Sequence, residues 1–152
     1  MNRKEFIATG CITCLSGGLM ISLLNGCRSS RIIAAGISGS DMIVPIIEFE
    51  IKKSNGNNFK KYLVVQNEIL QYPICVYRFD ENRYEALLMK CTHQGTELQV
   101  FGDNLQCPAH GSEFNNRGNV ESGPAIASLR TFPVTIVNDQ LKISLKWSGN
   151  FL

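Results

Sequence analysis

The chain has 152 residues, which leaves room for one domain and a short appendage but not for two full domains. Fifteen basic and thirteen acidic side chains give a formal net charge of +2, and the Lys and Arg residues are scattered, so the sequence indicates no nucleic-acid-binding surface. Of the six cysteines, only Cys91 and Cys107 have histidines at ligand spacing, which favours metal binding over a disulfide framework.

A basic start followed by an uncharged run defines the first segment. Arg3 and Lys4 precede residues 7–27, which contain no charged side chain, and this pattern is typical of an export signal. The run is also long enough for a transmembrane helix, but its many Gly, Ser and Thr residues favour cleavage. We therefore predict that residues 1–26 are an export signal or membrane anchor.

The end of that run, Leu-Asn-Gly-Cys at residues 24–27, resembles the lipoprotein box of bacteria. The resemblance implies lipidation of Cys27 and an exported protein that is anchored on the periplasmic side of a membrane without spanning it. Residues 27–41 are rich in Ser, Gly and small apolar side chains without a clear period. They predict a linker between the membrane and the domain.

From residue 42 the pattern changes to strands. Residues 42–51 are rich in β-branched side chains and alternate apolar with charged positions around residues 47–51, as a half-buried strand does. Residues 54–58 have the Asn and Gly content of a turn. Residues 61–66 predict the returning strand, so the two strands are expected to form a hairpin.

Further strands are expected at 74–79, 84–90, 98–101, 104–106, 129–137 and 141–146, with residues 120–127 irregular. Beyond residue 32 no stretch of ten residues has a convincing helical period. The predicted fold class is therefore all-β and antiparallel. We expect the domain at residues 42–147 and a short tail at residues 148–152.

Two motifs carry the chemistry. Cys91 is followed by His93 and a glycine in Cys-Thr-His-Gln-Gly, and Cys107 is followed by His110 in Cys-Pro-Ala-His-Gly-Ser. Two thiolates and two imidazoles can converge on a metal centre, either one zinc ion or a two-iron, two-sulfide cluster. Each loop supplies one ligand of each kind, whereas zinc sites with these ligands usually begin with a C-x-x-C pair. The spacing favours the cluster.

The two motifs resemble those of the Rieske iron–sulfur family, C-x-H-x-G and C-P-x-H-G. The resemblance implies an antiparallel β sandwich with a small cluster-binding subdomain of two loops, and one [2Fe-2S] cluster per chain. In this family two cysteines bind the inner iron and two histidines bind the outer iron. The ligands that it implies here are Cys91, Cys107, His93 and His110.

Other residues tune such a cluster through hydrogen bonds to its sulfurs. By the same resemblance, Ser112 donates to a bridging sulfide, whereas Phe114 stands where high-potential members have a Tyr whose hydroxyl reaches a cysteine sulfur. The sequence therefore predicts a reduction potential below that of members with both hydroxyls and above that of members with neither. Gly-Pro-Ala at residues 123–125 resembles the proline loop that covers the cluster from a third side.

Three positions differ from the quinol-oxidising members of the family. Thr96 and Ala109 stand where those members have the two cysteines of a disulfide between the loops, and Gln94 stands where they usually have Leu. A disulfide typically contributes about 2–4 kcal/mol of stability, so the two loops must be held together in another way. These differences disfavour quinol as the partner.

The functional prediction is single-electron transfer in a membrane-tethered exported protein that is a subunit of a respiratory or periplasmic redox complex. The expected partners are a cytochrome or the large subunit of a dehydrogenase or oxidase, and quinol is an alternative in a cytochrome bc-type complex. A zinc-stabilised module that only binds a partner is the non-redox alternative. The sequence contains no independent catalytic site, so chemistry on a substrate would need another subunit.

Overall fold

The structure is a computed structural model that describes residues 32–51 and 58–146. The predicted export signal, the lipidation site Cys27 and the tail at residues 148–152 lie outside the described residues, and so does most of the predicted turn at residues 54–58. Among the described residues, no helix has the length and apolar character needed to cross a membrane.

The described strands are, in chain order, β1 (Ile32–Ala34), β2 (Gly36–Ser38), β3 (Asp41–Pro45), β4 (Glu50–Ile51), β5 (Asn58–Phe59), β6 (Tyr62–Gln66), β7 (Ile74–Arg78), β8 (Tyr84–Leu88), β9 (Gln99–Phe101), β10 (Asn104–Gln106), β11 (Glu113–Asn115), β12 (Val120–Ser122), β13 (Thr131–Phe132), β14 (Val134–Val137) and β15 (Gln140–Ser144). A single turn of 3-10 helix, Ile46–Phe49, interrupts them between β3 and β4. This composition confirms the all-β fold class.

Three sheets of three or more strands organise the domain. The largest has the order β1-β6-β7-β8-β13, the second has the order β14-β15-β3-β2, and the third, whose strands β10 and β11 flank the second motif, has the order β12-β11-β10-β9. The strand pairs are antiparallel, as expected, except that β1 runs parallel to β6 with Ile32 opposite Val64. A two-stranded hairpin, β4 with β5, completes the set.

Both faces of the five-stranded sheet are buried, and β7 shows how. Its residues alternate between two cores, because successive side chains of a strand point to opposite faces. Ile74 and Val76 belong to a core shared with Met42 of β3 and Leu141 of β15. On the other face, Cys75 and Tyr77 belong to a core shared with the third sheet and with the two motif cysteines. The sheet therefore serves as the platform on which the candidate site rests.

The structure corrects the predicted linker at residues 27–41, because residues 32–38 form β1 and β2. The sequence of these two strands shows no clean alternation of apolar and polar side chains. Their backbone groups nevertheless pair with distant strands: Ala35 N–H donates to the Gln66 carbonyl at 2.9 Å, and β2 pairs with β3. The folded domain thus begins no later than Ile32, ten residues before the predicted start.

The predicted strand at residues 42–51 is also corrected. It ends at Pro45, and the 3-10 helix Ile46–Phe49 follows. Ile46 and Phe49 both pack against the core, a spacing of three that suits a 3-10 turn, while Ile47 is exposed. Residues 61–66 therefore do not pair with residues 42–51 as expected. The hairpin is instead formed by β4 and β5, and β6 pairs with β7.

Two smaller differences concern the second half of the chain. Residues 120–122 of the predicted irregular segment form β12, whose pairing with β11 contains a register shift between Glu113 and Phe114. The predicted strand at residues 129–137 is divided at Pro133 into β13 and β14. A proline has no backbone N–H to donate to a neighbouring strand, which explains the division.

Candidate metal centre

Each motif forms a loop that starts where a β element ends. The first loop, residues 91–96, follows β8 and is closed at its base by the bridge between Lys90 and Glu97. The second loop, residues 107–112, connects β10 to β11, which pair with each other. Both loops are therefore held at both ends by paired backbone, which fixes the positions of their side chains.

The two loops have the same backbone hydrogen bonds although their Cys–His spacings differ. Cys91 N–H donates to the Thr96 carbonyl at 2.8 Å, and Gly95 N–H donates to the Cys91 carbonyl at 2.8 Å. In the second loop, Cys107 N–H donates to the Ser112 carbonyl at 2.8 Å, and Gly111 N–H donates to the Cys107 carbonyl at 3.0 Å. The loops are thus structural equivalents in which Thr96 corresponds to Ser112.

The glycine four residues after each cysteine is what permits this closure. Gly95 has φ +77° and Gly111 has φ +71°, which is the left-handed region that glycine enters at little cost. The sequence singled out these glycines as part of the motif, and the structure gives the physical reason for them.

The four predicted ligands divide into a buried pair and an exposed pair. Cys91 and Cys107 are only 1% and 3% exposed, and both are free thiols. His93 and His110 are exposed, and their ring centroids lie 5.0 Å apart with the rings edge to face. The structure therefore brings all four residues to one end of the domain, with sulfur donors inside and nitrogen donors at the surface.

Hydrogen bonds favour the thiolate form of Cys107. Burial raises the pKa of its thiol, but the backbone N–H groups of His110 and Ala109 and the side chains of Cys91 and Thr96 lower it, and the net pKa lies below the ordinary value of 9.0. A thiolate is the form that binds metal. By contrast, burial raises the pKa of Cys75 well above 9.0, so this third thiol stays neutral in the core.

The four donor side chains fall into two pairs of like kind. The recorded contacts are pairwise, between the two cysteines and between the two histidines. A two-iron cluster with two thiolate and two imidazole ligands takes them in such pairs, so the residues present fit that group.

Ser112, the last residue of the second loop, is completely buried, and its predicted tuning role stays a prediction. Its Oγ accepts a 3.2 Å hydrogen bond from Ala125 N–H. This bond uses an oxygen lone pair and leaves the hydroxyl proton for another acceptor. Phe114 is also fully buried, in the same core as Cys91 and Cys107, and its ring has no polar group to offer them.

A third loop, residues 123–128, packs against both motif loops. Gly123 has φ +89°, and a Cβ at this position would lie 2.5 Å from the Ser112 Cα, so only glycine allows this approach. At the other end of the loop, Thr92 Oγ1 donates a 2.6 Å hydrogen bond to the Ala127 carbonyl. The predicted proline loop is therefore attached to the second motif loop by Gly123 and to the first by Ala127.

The sequence missed two residues that link the loops. Thr96 was noted only because it replaces a disulfide cysteine, yet its side chain hydrogen-bonds to Cys107 of the other loop. Thr92 was not singled out at all. One signal was available for Thr96, because a hydroxyl residue follows the glycine in both motifs. No sequence signal links Thr92 to Ala127, which are 35 residues apart.

Comparisons with known proteins agree with the motifs. A family model described as Rieske [2Fe-2S] domain matches residues 51–133, more than half of the chain. The cytochrome b6-f complex iron-sulfur subunit 1 of Synechocystis sp. is 41% identical over 61 residues, which cover 39% of this chain and 34% of that relative. The corresponding subunit 2 of Nostoc sp. is 35% identical over 61 residues, with the same two coverages of 39% and 34%.

The matched stretch spans about a third of the length of these curated relatives. Among solved structures, the cyanobacterial plasma membrane Rieske protein from Synechocystis superposes with a TM-score of 0.49 at 26% identity, covering 55% of this chain and 86% of that chain.

Proposed function

The chain belongs to the Rieske [2Fe-2S] domain family, and from this membership we propose that it transfers single electrons through a cluster bound by four residues of the two motif loops. The proposed ligands are Cys91, Cys107, His93 and His110. When bound, the cluster supplies a one-electron couple with a reduction potential of roughly −150 to +300 mV, the range for His₂Cys₂ centres.

The single observation that carries this proposal is the division of the donors into a buried and an exposed pair. The cysteines hold their sulfurs inside the domain, where water and oxidants have little access. The histidines present their rings at the surface, where a partner can approach within electron-transfer distance. Electrons therefore enter and leave at the imidazole side.

The histidines would have a second role. An imidazole that binds metal through one nitrogen keeps an N–H on the other. Because both rings are exposed, these N–H groups can donate hydrogen bonds to a partner.

We further propose that the protein is one subunit of a membrane-associated redox complex. Relatives at 35–41% identity are named as iron-sulfur subunits of the cytochrome b6-f complex, which supports an assignment to electron transport. Gln94, Thr96 and Ala109 remain arguments against quinol as the direct partner. We therefore favour a cytochrome, or the large subunit of a dehydrogenase or oxidase, with quinol oxidation in a cytochrome bc-type complex as the alternative.

Membrane attachment through a lipid on Cys27 is part of the proposal. With β1 beginning at Ile32, four residues separate Cys27 from the first described strand. A fully extended chain spans at most about 3.6 Å per residue, so the domain would be held close to the membrane. Intact mass of the natively purified protein tests this: a diacylglyceryl-modified N-terminus at Cys27 supports it, and an unmodified or uncleaved chain contradicts it.

The cluster assignment is tested by electron paramagnetic resonance and metal content. The dithionite-reduced protein should give a signal with average g below 2, with two irons and two acid-labile sulfides per chain. Changing Cys91 or Cys107 to Ser should abolish the signal. Cys75→Ser, the matched control, should leave the signal unchanged. If the purified protein instead contains zinc and gives no signal, the electron-transfer assignment is wrong and the non-redox binding module takes its place.

A further inference from the structure

We propose that a groove beside the edge strand β1 is the face of the domain that contacts the membrane, with the side chains of Ile32 and Ile69 inserted between the lipid headgroups and the acyl chains. The proposal rests on the proposed lipid at Cys27 and not on the cluster. A lipid anchor alone holds a domain near the bilayer, whereas this contact also fixes how the domain is oriented on it.

Two exposed isoleucines come together in this groove although they are far apart in sequence. Ile32 is 52% exposed and Ile69 is 80% exposed, and both line the groove. The remaining lining residues are Ala34, Ala35 and residues 66–68. Single exposed apolar side chains are common on protein surfaces, but two that share one groove form a continuous apolar patch of the kind that marks a contact site.

Hydrogen bonds hold the two sides of the groove together. Ala35 N–H donates to the Gln66 carbonyl at 2.9 Å, and the side-chain amide of Asn67 donates to the Ala35 carbonyl at 2.8 Å. The side-chain oxygen of Asn67 accepts from Ile69 N–H at 3.0 Å. The turn that carries Ile69 is therefore attached to the residue that follows β1. The two isoleucines are presented on a fixed backbone, so little conformational entropy is lost on contact.

The place of Cys27 in the sequence identifies the bilayer as the occupant of the groove. Ile32 lines the groove and is the first residue of β1, and four residues separate it from Cys27. An extended chain spans at most about 3.6 Å per residue, so a lipid on Cys27 enters the bilayer within about 18 Å of Ile32. Two of the four intervening residues are Arg28 and Arg31, whose charges favour anionic headgroups and outnumber the single carboxylate of the groove, Glu68.

Quenching of tryptophan fluorescence by brominated lipid measures this contact in the natively purified, lipidated protein. Ile69→Trp is reconstituted into vesicles of phosphatidylethanolamine and phosphatidylglycerol, with or without bromine on the acyl chains close to the headgroups. The control is Phe101→Trp, because Phe101 is similarly exposed, at 72%, and lies in β9 of the third sheet. After subtraction of the signal of the native Trp147, we expect bromine to quench the tryptophan introduced at position 69 at least about threefold more than the one at position 101.

A second substitution tests whether Ile32 belongs to the same contact. In the Ile69→Trp background, Ile32→Glu should reduce the quenching by lipid to less than about half, because a carboxylate resists burial and is repelled by anionic headgroups. Ile136→Glu is the control. It changes an exposed isoleucine of β14, which lies at the opposite edge of the second sheet from β2, and it should leave the quenching unchanged.

Equal quenching at positions 69 and 101, or no effect of Ile32→Glu, would overturn the proposed orientation. A tryptophan at position 69 that is shielded from water but not quenched by lipid would assign the groove to a second copy of the chain, which also overturns it. Intact mass of the same samples separates this failure from that of the anchor. An unmodified Cys27 defeats the lipid attachment and the orientation together, whereas a lipidated protein without selective quenching defeats the orientation alone. The resonance signal reports on the cluster independently of either result.

Discussion

The hydroxyl of Thr92 donates a 2.6 Å hydrogen bond to the carbonyl of Ala127, and through this bond the first motif loop holds the third loop, residues 123–128. In family members that oxidise quinol, a disulfide joins the first and second loops. Here Thr96 and Ala109 exclude that bridge. A hydrogen bond between Thr96 and Cys107 joins the first and second loops instead, and the third loop is attached through Thr92 and through Ser112, which accepts from Ala125 N–H.

Removing the hydrogen bond from Thr92 to Ala127 should destabilise the folded protein. Thr92→Val keeps the shape of the side chain but removes the hydroxyl, so we expect a loss of about 0.5–1.5 kcal/mol in the free energy of unfolding, the net worth of one hydrogen bond. Hydrogen exchange at the amides of residues 124–128 should become faster. Thr135→Val, at an exposed position in β14, is the control, and an equal effect there would show that the bond contributes nothing.

Ser112→Ala should affect both stability and reduction potential. The Ala125 N–H would lose its acceptor, and a buried donor without a partner costs about 1–3 kcal/mol. The potential should fall, because a hydroxyl donor near the cluster sulfurs favours the reduced form. Thermal unfolding and redox titration measure the two effects, with exposed Ser128→Ala as the control. A lower melting temperature at an unchanged potential would limit Ser112 to holding the third loop.

Phe114→Tyr should raise the reduction potential. The ring is fully buried in the core that contains Cys91 and Cys107, and an added hydroxyl would find a cysteine sulfur as its acceptor. A hydrogen bond worth about 1 kcal/mol corresponds to roughly 40 mV for one electron. Redox titration measures the reduction potential. The control is Phe132→Tyr, which makes the same change on a buried ring of the other core. A potential that stays at the wild-type value would rule out a tuning role for position 114.

Local sequence signals predicted the parts of the fold that local backbone geometry determines. The strands expected at 98–101 and 104–106 leave a turn at residues 102–103, and Gly102 has φ +64°. The strands expected at 129–137 and 141–146 leave a turn that begins at Asn138 and Asp139, and both residues have positive φ, 49° and 58°. The candidate ligands were found for the same reason, since each motif is complete within six residues.

Features that depend on distant partners could not be predicted. β1 owes its strand conformation to β6, 32 residues further along the chain, and its three apolar side chains give no alternating pattern. The 3-10 helix Ile46–Phe49 was predicted as part of a strand because apolar and charged residues alternate over residues 47–51, which run from the helix into β4. The attachment of the third loop by Thr92 and Ser112 also joins residues far apart in sequence, so only the folded structure brings that loop to the two motif loops.

The buried thiol of Cys75 predicts how stability depends on pH. Burial raises its pKa above the ordinary value of 9.0 in the folded protein, while the unfolded chain keeps the ordinary value. Above pH 9 the unfolded state therefore binds fewer protons, and the free energy of unfolding falls as pH rises. The contribution of the neutral Cys75 thiol to the free energy of unfolding is fully present below pH 9. Above pH 9 this contribution falls by up to about 1.4 kcal/mol for each pH unit.

Denaturant unfolding of wild type and Cys75→Ala across pH 7 to 11 checks this. The variant loses packing at every pH, so its curve should lie lower, but its slope above pH 9 should be shallower by up to about 1.4 kcal/mol per pH unit. The pKa of Tyr77 is also raised by burial and by the neighbouring Cys75, from an ordinary value of 10.0. Above pH 10 Tyr77 therefore adds to the fall of the free energy of unfolding in both proteins. Parallel curves between pH 9 and pH 10 would mean that Cys75 ionises in the folded protein as readily as in the unfolded chain, which contradicts its complete burial.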